Sequence, residues 1–172
     1  MPARHLARRT AAVLLLALVV LTVAPRASAA PASPAFQVKL LDSRARFDSR
    51  DRLGKRPVVV RFQASWCKVC GREAAGFGRL VERYRSRGVD FIVLHVQDTA
   101  VDVRKFMRAH RAAYPVALDP RLTIANRFGF EGTPLTVVVD AKGEIAARIE
   151  GASALTRLPR VLDDVLGSGR RR

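Results

Sequence analysis

The chain has 172 residues, 49% of them hydrophobic, and carries a formal charge of +16 from 31 Lys and Arg against 15 Asp and Glu. That length suits one domain with a real core. The arginines are spread through every expected element, with no basic helix and no interleaved aromatics, which argues against nucleic acid as a partner and leaves peripheral attraction to an anionic membrane surface.

The first 29 residues read as a signal peptide. Arg4, His5, Arg8 and Arg9 form a positive start, residues 11–24 an apolar stretch, and Ala27-Ser28-Ala29 a small-residue cleavage site. As helix the apolar stretch would span roughly 21 Å at about 1.5 Å per residue, short of a ~30 Å hydrocarbon core. Cleavage after Ala29 is therefore expected over a permanent anchor, the alternative. The expected location is periplasmic or secreted, where disulfides persist.

Residues 30–35 are an Ala/Ser/Pro spacer. Phe36, Val38 and Leu40 alternate with Gln37 and Lys39, which predicts an edge strand, and residues 42–57 read as polar turns. Residues 57–63 predict a buried central strand, 71–85 a helix, 89–96 a second buried strand and 101–111 a helix. A short strand over 114–118 and a short helix over 122–128 follow. Residues 135–140 and 145–149 read as a hairpin, and 155–166 as a closing helix that Pro159 breaks or delays. The expected domain is residues 36–166, with 167–172 a disordered basic tail. Alternating strands and helices predict an α/β fold, a central sheet with helices on both faces, and the hairpin makes that sheet mixed.

Cys67 and Cys70 are the only cysteines, and they sit where the central strand hands over to a helix. A helix N-terminus carries partial positive charge and unpaired N–H donors, which favour a thiolate. A C-x-x-C pair alone could be half a zinc site, a structural bridge or a redox pair. A closed zinc site needs four ligands, and neither His95 nor His110 stands at zinc spacing from the cysteines. A structural bridge this short constrains the unfolded chain little. Redox chemistry is the favoured reading. Cys67, ahead of the helix, should be exposed and attack; Cys70, one turn in, should be buried and resolve the mixed disulfide.

Phe62-x-Ala64-Ser65-Trp66-Cys67-x-x-Cys70 after an apolar strand, Glu73, Tyr114-Pro115-Val116 and Phe128-Gly129-Phe130-Glu131-Gly132-Thr133-Pro134 together resemble the thioredoxin superfamily, and within it the exported TlpA/ResA-like thiol–disulfide oxidoreductases. The resemblance covers nearly all of residues 36–166. It implies a thioredoxin-like fold, no bound cofactor, and a cis Thr133–Pro134 bond in a loop against the cysteines that receives substrate. It implies further that Trp66 shields the site and that Glu73 handles protons near the buried thiol, or else favours the helix dipole. Protein thiols and disulfides, apocytochrome c among them, are the implied substrates of a monomer acting more as reductant than oxidant, with electrons from a membrane thiol donor.

The chain departs from the pattern in three places. Lys68-Val69 fills the gap where relatives often have proline second, and Lys68 should favour the Cys67 thiolate. Arg61 stands where thioredoxin buries an acid, so it needs an acidic partner or the surface. Gln63 replaces a common aromatic. The alternative function is a copper-binding metallochaperone that uses the cysteines with His95 or His110, since soft sulfur suits Cu(I), although related copper proteins use C-x-x-x-C. The Pro-x-x-x-Thr-x-x-Cys setting of a peroxidatic cysteine is lacking.

Overall fold

The computed structural model describes residues 30–169; the expected signal peptide and residues 170–172 lie outside them. Its strands are β1 (Gln37–Lys39), β2 (Arg46–Asp48), β3 (Val58–Gln63), β4 (Asp90–Val96), β5 (Val116–Asp119), β6 (Leu135–Val139) and β7 (Ile145–Glu150). The helices are α1 (Lys68–Arg85), α2 (Ala100–Ala109) and α3 (Ala154–Gly169), with 3₁₀ turns at Ser49–Asp51 and Ala125–Phe128.

Five strands form a mixed sheet in the order β5-β4-β3-β6-β7, with β3 parallel to β4 and antiparallel to β6. All six β3 residues are buried, as a run of Val58-Val59-Val60 flanked by sheet on both sides requires. Side chains alternate between the two faces. Val58, Val60 and Phe62 pack with Phe36, Val38 and Phe47 of the β1–β2 ribbon and with Phe128. Val59 packs on the other face with Phe77, Val81 and Tyr84 of α1 and Leu158 and Leu162 of α3. Helical segments thus cover both faces: the α-helices one, the Ala125–Phe128 turn the other.

Three expectations are corrected. The first strand does not join the main sheet as an edge. It pairs antiparallel with β2, inside the stretch read as turns, and the Leu40–Ala117 bridge, with the Leu41 N–H donating to the Val116 carbonyl (2.8 Å), ties it to β5. Phe47 is the one apolar residue of β2, and stacking on Phe36 (5.7 Å between ring centres) holds it. Second, Pro159 neither breaks nor delays α3. The helix starts at Ala154, because buried Ala154, Leu158 and Leu162 hold its first turns to the sheet. The Tyr84 hydroxyl also donates to the Pro159 carbonyl (3.1 Å). Third, residues 167–169 continue that helix rather than begin a disordered tail.

The β3 register fixes the site. Phe62 pairs with Leu135, so the loop before β6, with its cis Thr133–Pro134 bond, meets the segment leaving β3 at the same end of the sheet.

Candidate active site

The segment 64–67 turns the chain from β3 into α1, closed by the Cys67 N–H donating to the Ala64 carbonyl (3.2 Å). Cys67 is the N-cap of α1. Its sulfur accepts from the Cys70 N–H (3.1 Å) and is disulfide-bonded to Cys70. One of the four N–H groups that a helix start leaves without a partner is therefore aimed at the sulfur that would carry a thiolate's charge. Cys70 is fully buried. Cys67, expected exposed, keeps only 8% of its surface, because its sulfur is turned back over the first turn of α1. The exposed member is Trp66, at 60%, which borders a groove over Cys67 with Ser65, Lys68, Gly71, Arg72 and His110. Thr133 and Pro134 line a second, smaller cavity with Glu131, Leu135 and Glu150.

Glu73 does not act on the helix dipole as a free first-turn carboxylate. It is buried, and its Oε2 accepts from Arg61 Nη2 at 2.7 Å. Arg61 has no exposed surface; it finds the acid that its burial demands. Its other donors go to Gln63 Oε1 and Thr136 Oγ1, both at 3.2 Å, and its guanidinium lies 4.7 Å from the Phe77 ring centre.

From Gln63 the bonding continues away from Glu73. The Gln63 amide donates to Tyr114 Oη (3.1 Å) and meets His95 Nε2 (2.8 Å), while His95 Nδ1 lies 2.7 Å from Asp98 Oδ2. Every contact is satisfied by neutral His95 with its proton on Nδ1, donated to Asp98, and Nε2 accepting from Gln63. Burial lowers the His95 pKa, opposed by the hydrogen bond and charge of Asp98; Tyr114 is raised by burial. Asp98 in turn accepts the Ser65 N–H and the Ser65 hydroxyl, each at 2.7 Å. A buried hydrogen-bonded chain thus begins at Ser65, two residues before Cys67, and ends at Glu73, three after Cys70. Among the described residues no buried side-chain nitrogen or oxygen lacks a partner.

Sequence reasoning had Arg61 and Glu73, and Ser65 and Tyr114 as motif residues, but missed Asp98 and the bonds that Ser65, Tyr114, Gln63 and His95 make. A signal existed. Arg61 and Gln63 share one face of β3 by the two-residue period, and the Gln63–His95 register puts an imidazole beside them. With both ring nitrogens bonded, His95 is no partner for the cysteines in copper binding; of the two histidines, His110 borders the Cys67 groove. Among the described residues no cluster of three or more His, Cys, Asp or Glu is arranged to hold a metal.

The AhpC/TSA family model matches residues 30–148. The thiol-disulfide oxidoreductase ResA of Bacillus thuringiensis subsp. konkukian is 27% identical over 133 residues, 77% of this chain and 76% of that one. A thiol:disulfide interchange protein of the thioredoxin family from Chlorobium tepidum TLS superposes with a TM-score of 0.70 at 25% identity, covering 80% of this chain and 97% of that one. MTB DsbF, solved in mixed oxidized and reduced forms, gives a TM-score of 0.70 at 25% identity, covering 79% and 98%.

Proposed function

This chain belongs to the AhpC/TSA family of the thioredoxin superfamily and is a thiol–disulfide oxidoreductase, and we propose that it works outside the cytoplasm, reducing disulfides in exported proteins. The observation that supports the disulfide-exchange chemistry is the placement of Cys67 as N-cap of α1 with buried Cys70 one turn behind. In the reduced chain the Cys67 thiolate attacks a substrate disulfide. A Cys67–substrate bond forms and the substrate's other sulfur leaves as a thiol. Cys70 then attacks the Cys67 sulfur, which forms the Cys67–Cys70 bond and releases the second substrate thiol. Two electrons pass to the substrate, and a dithiol donor at the membrane restores the pair.

Export rests on the signal-peptide pattern of residues 1–29, followed by the 30–35 spacer. The reductant direction rests on the TlpA/ResA resemblance, as does apocytochrome c as a substrate. Lys68 pulls the other way, since a cation beside Cys67 favours its thiolate. Glu73, held by Arg61 at 2.7 Å, anchors α1 and stands where the resemblance places proton handling near the buried thiol. Trp66, Thr133 and Pro134 border the cavities where a substrate segment would lie. Val60 and Ala64 stand where a peroxidatic cysteine's Pro and Thr would be, which favours disulfide exchange over peroxide reduction.

Equilibration with glutathione and dithiothreitol buffers, read by thiol alkylation, tests this. A Cys67–Cys70 potential near or below roughly −270 mV is expected; one near about −120 mV would make the chain a disulfide donor instead. Absence of any reversible transition refutes the assignment.

A further inference from the structure

The groove over Cys67 and the cavity at the Thr133–Pro134 loop, at the same end of the sheet, carry opposite charge. The sheet order places the loop from β3 between the β4 side, where α2 ends at His110, and the β6 side, where the Thr133–Pro134 loop descends. On the first side the groove of about 470 Å³ contains exposed Lys68 and Arg72 with His110, and no acid lines it. Among the described residues neither Lys68 nor Arg72 has an acidic partner; the arginines that do are elsewhere on the surface or in the core. The width of this groove depends on Gly71. A Cβ there would stand 2.7 Å from His110 Cε1, so glycine is what lets the imidazole lie across the start of α1.

On the second side the cavity of about 250 Å³ is lined by exposed Glu131 and Glu150, with no cation among its walls. Arg148 stands 4.0 Å from Glu150, but its guanidinium donates to the carbonyls of Phe128 and Gly129. In a chain with 31 basic and only 15 acidic residues, two carboxylates on one flank and none on the other run against the background charge.

We propose that the site selects polypeptide segments whose reactive cysteine has carboxylates on one side and cationic side chains on the other, the first meeting Lys68 and Arg72, the second Glu131 and Glu150. The proposal rests on the oxidoreductase reading and names its substrate class. Charges arranged this way act on encounter rate and on register, and they exclude the reversed segment by like-charge contact.

The test uses the Cys70→Ser chain with Cys67 capped as a 2-thiopyridyl disulfide. A peptide thiolate attacks the Cys67 sulfur, the peptide–Cys67 disulfide forms, and 2-thiopyridone leaves with its own absorbance. Two peptides of identical composition are compared: one with two aspartates before the cysteine and two lysines after it, and one with that order reversed. A third, uncharged peptide is the reference. Each rate is divided by that peptide's rate with free dithiodipyridine, which removes differences in thiol pKa. One order should exceed the other by on the order of tenfold at low salt, from four exposed charge contacts of modest strength each. The ratio should fall toward one in ~1 M salt, where the screening length is about 3 Å.

In the Lys68→Glu, Arg72→Glu, Glu131→Lys, Glu150→Lys variant the preferred order should invert. An Arg79→Glu, Glu82→Lys exchange, farther along α1, should leave it unchanged. Equal rates for the two orders, or a preference that survives the fourfold exchange, overturn the proposal while the oxidoreductase reading stands. Failure of even the uncharged peptide to exchange overturns both.

Discussion

Replacing Arg61 by methionine is the sharpest probe of what supports the redox pair. Methionine fills much of the same space but leaves the buried Glu73 carboxylate without its cation, and it withdraws donors from Gln63 Oε1 and Thr136 Oγ1. Removing one partner of a buried pair costs about 3–5 kcal/mol, because the remaining charge has no compensation. That is a large share of the roughly 5–15 kcal/mol that holds a domain together. Replacing both partners, as Arg61→Met with Glu73→Leu, removes the orphaned charge and should recover more than half of the loss. Urea unfolding of the oxidised chain, followed by far-ultraviolet circular dichroism, measures all three proteins. A single-variant loss below about 1 kcal/mol, or a double variant no better than the single, would show that the pair does not carry the load the geometry assigns to it.

Further outcomes follow from the same chain of bonds. Asp98→Asn puts an amide nitrogen where the carboxylate now accepts from Ser65 or His95. It should cost about 2 kcal/mol, and an unchanged melting temperature would exclude the arrangement. His95 gives a pH signature. Its folded pKa lies below the ordinary 6.5, so the unfolded chain binds more protons as the pH drops beneath that value. Its contribution to stability is complete above pH 6.5 and declines on acidification toward the folded pKa, and His95→Gln should flatten that part of the profile; a wild-type profile already flat from pH 7 to 5.5 contradicts it. Gly71→Ala should displace the His110 ring, which packs 4.6 Å from the Phe106 ring centre. The expected cost is about 1–3 kcal/mol, seen as shifted His110 imidazole resonances and relieved by adding His110→Ala.

The features visible in the sequence are those written in consecutive residues. The Val58-Val59-Val60 run gave away a central strand, and the C-x-x-C pair at its exit gave away a capped helix. What stayed hidden depends on residues that only folding brings together: Ser65, Asp98 and Tyr114 span some fifty positions and share no periodicity. The β2 strand was illegible because Phe47 is its only buried apolar residue. The start of α3 was misplaced because a local rule about proline gave way to the burial of Leu158 and Leu162, each of which contributes about 1.5–3 kcal/mol when taken out of water. Arg61 lay between these cases. Its place in an apolar strand called for an acidic partner or the surface, and the fold supplies the first of these in Glu73.

The departures at Arg61, Gln63 and Val69 make one physical arrangement. Without proline between the cysteines, no fixed backbone φ stiffens the start of α1, and in the reduced chain no disulfide does either. Here the helix is instead fastened from the side, by Glu73 to Arg61 beneath it, while the turn before it is fastened by Ser65 to Asp98. Gln63 and His95 join the two fastenings into a continuous buried chain. A phenylalanine at position 63 could not make that connection, since it has no polar group to place between a guanidinium and an imidazole. The same residue that looks like a lost core aromatic is therefore what bonds the two fastenings of the Cys67–Cys70 segment to each other.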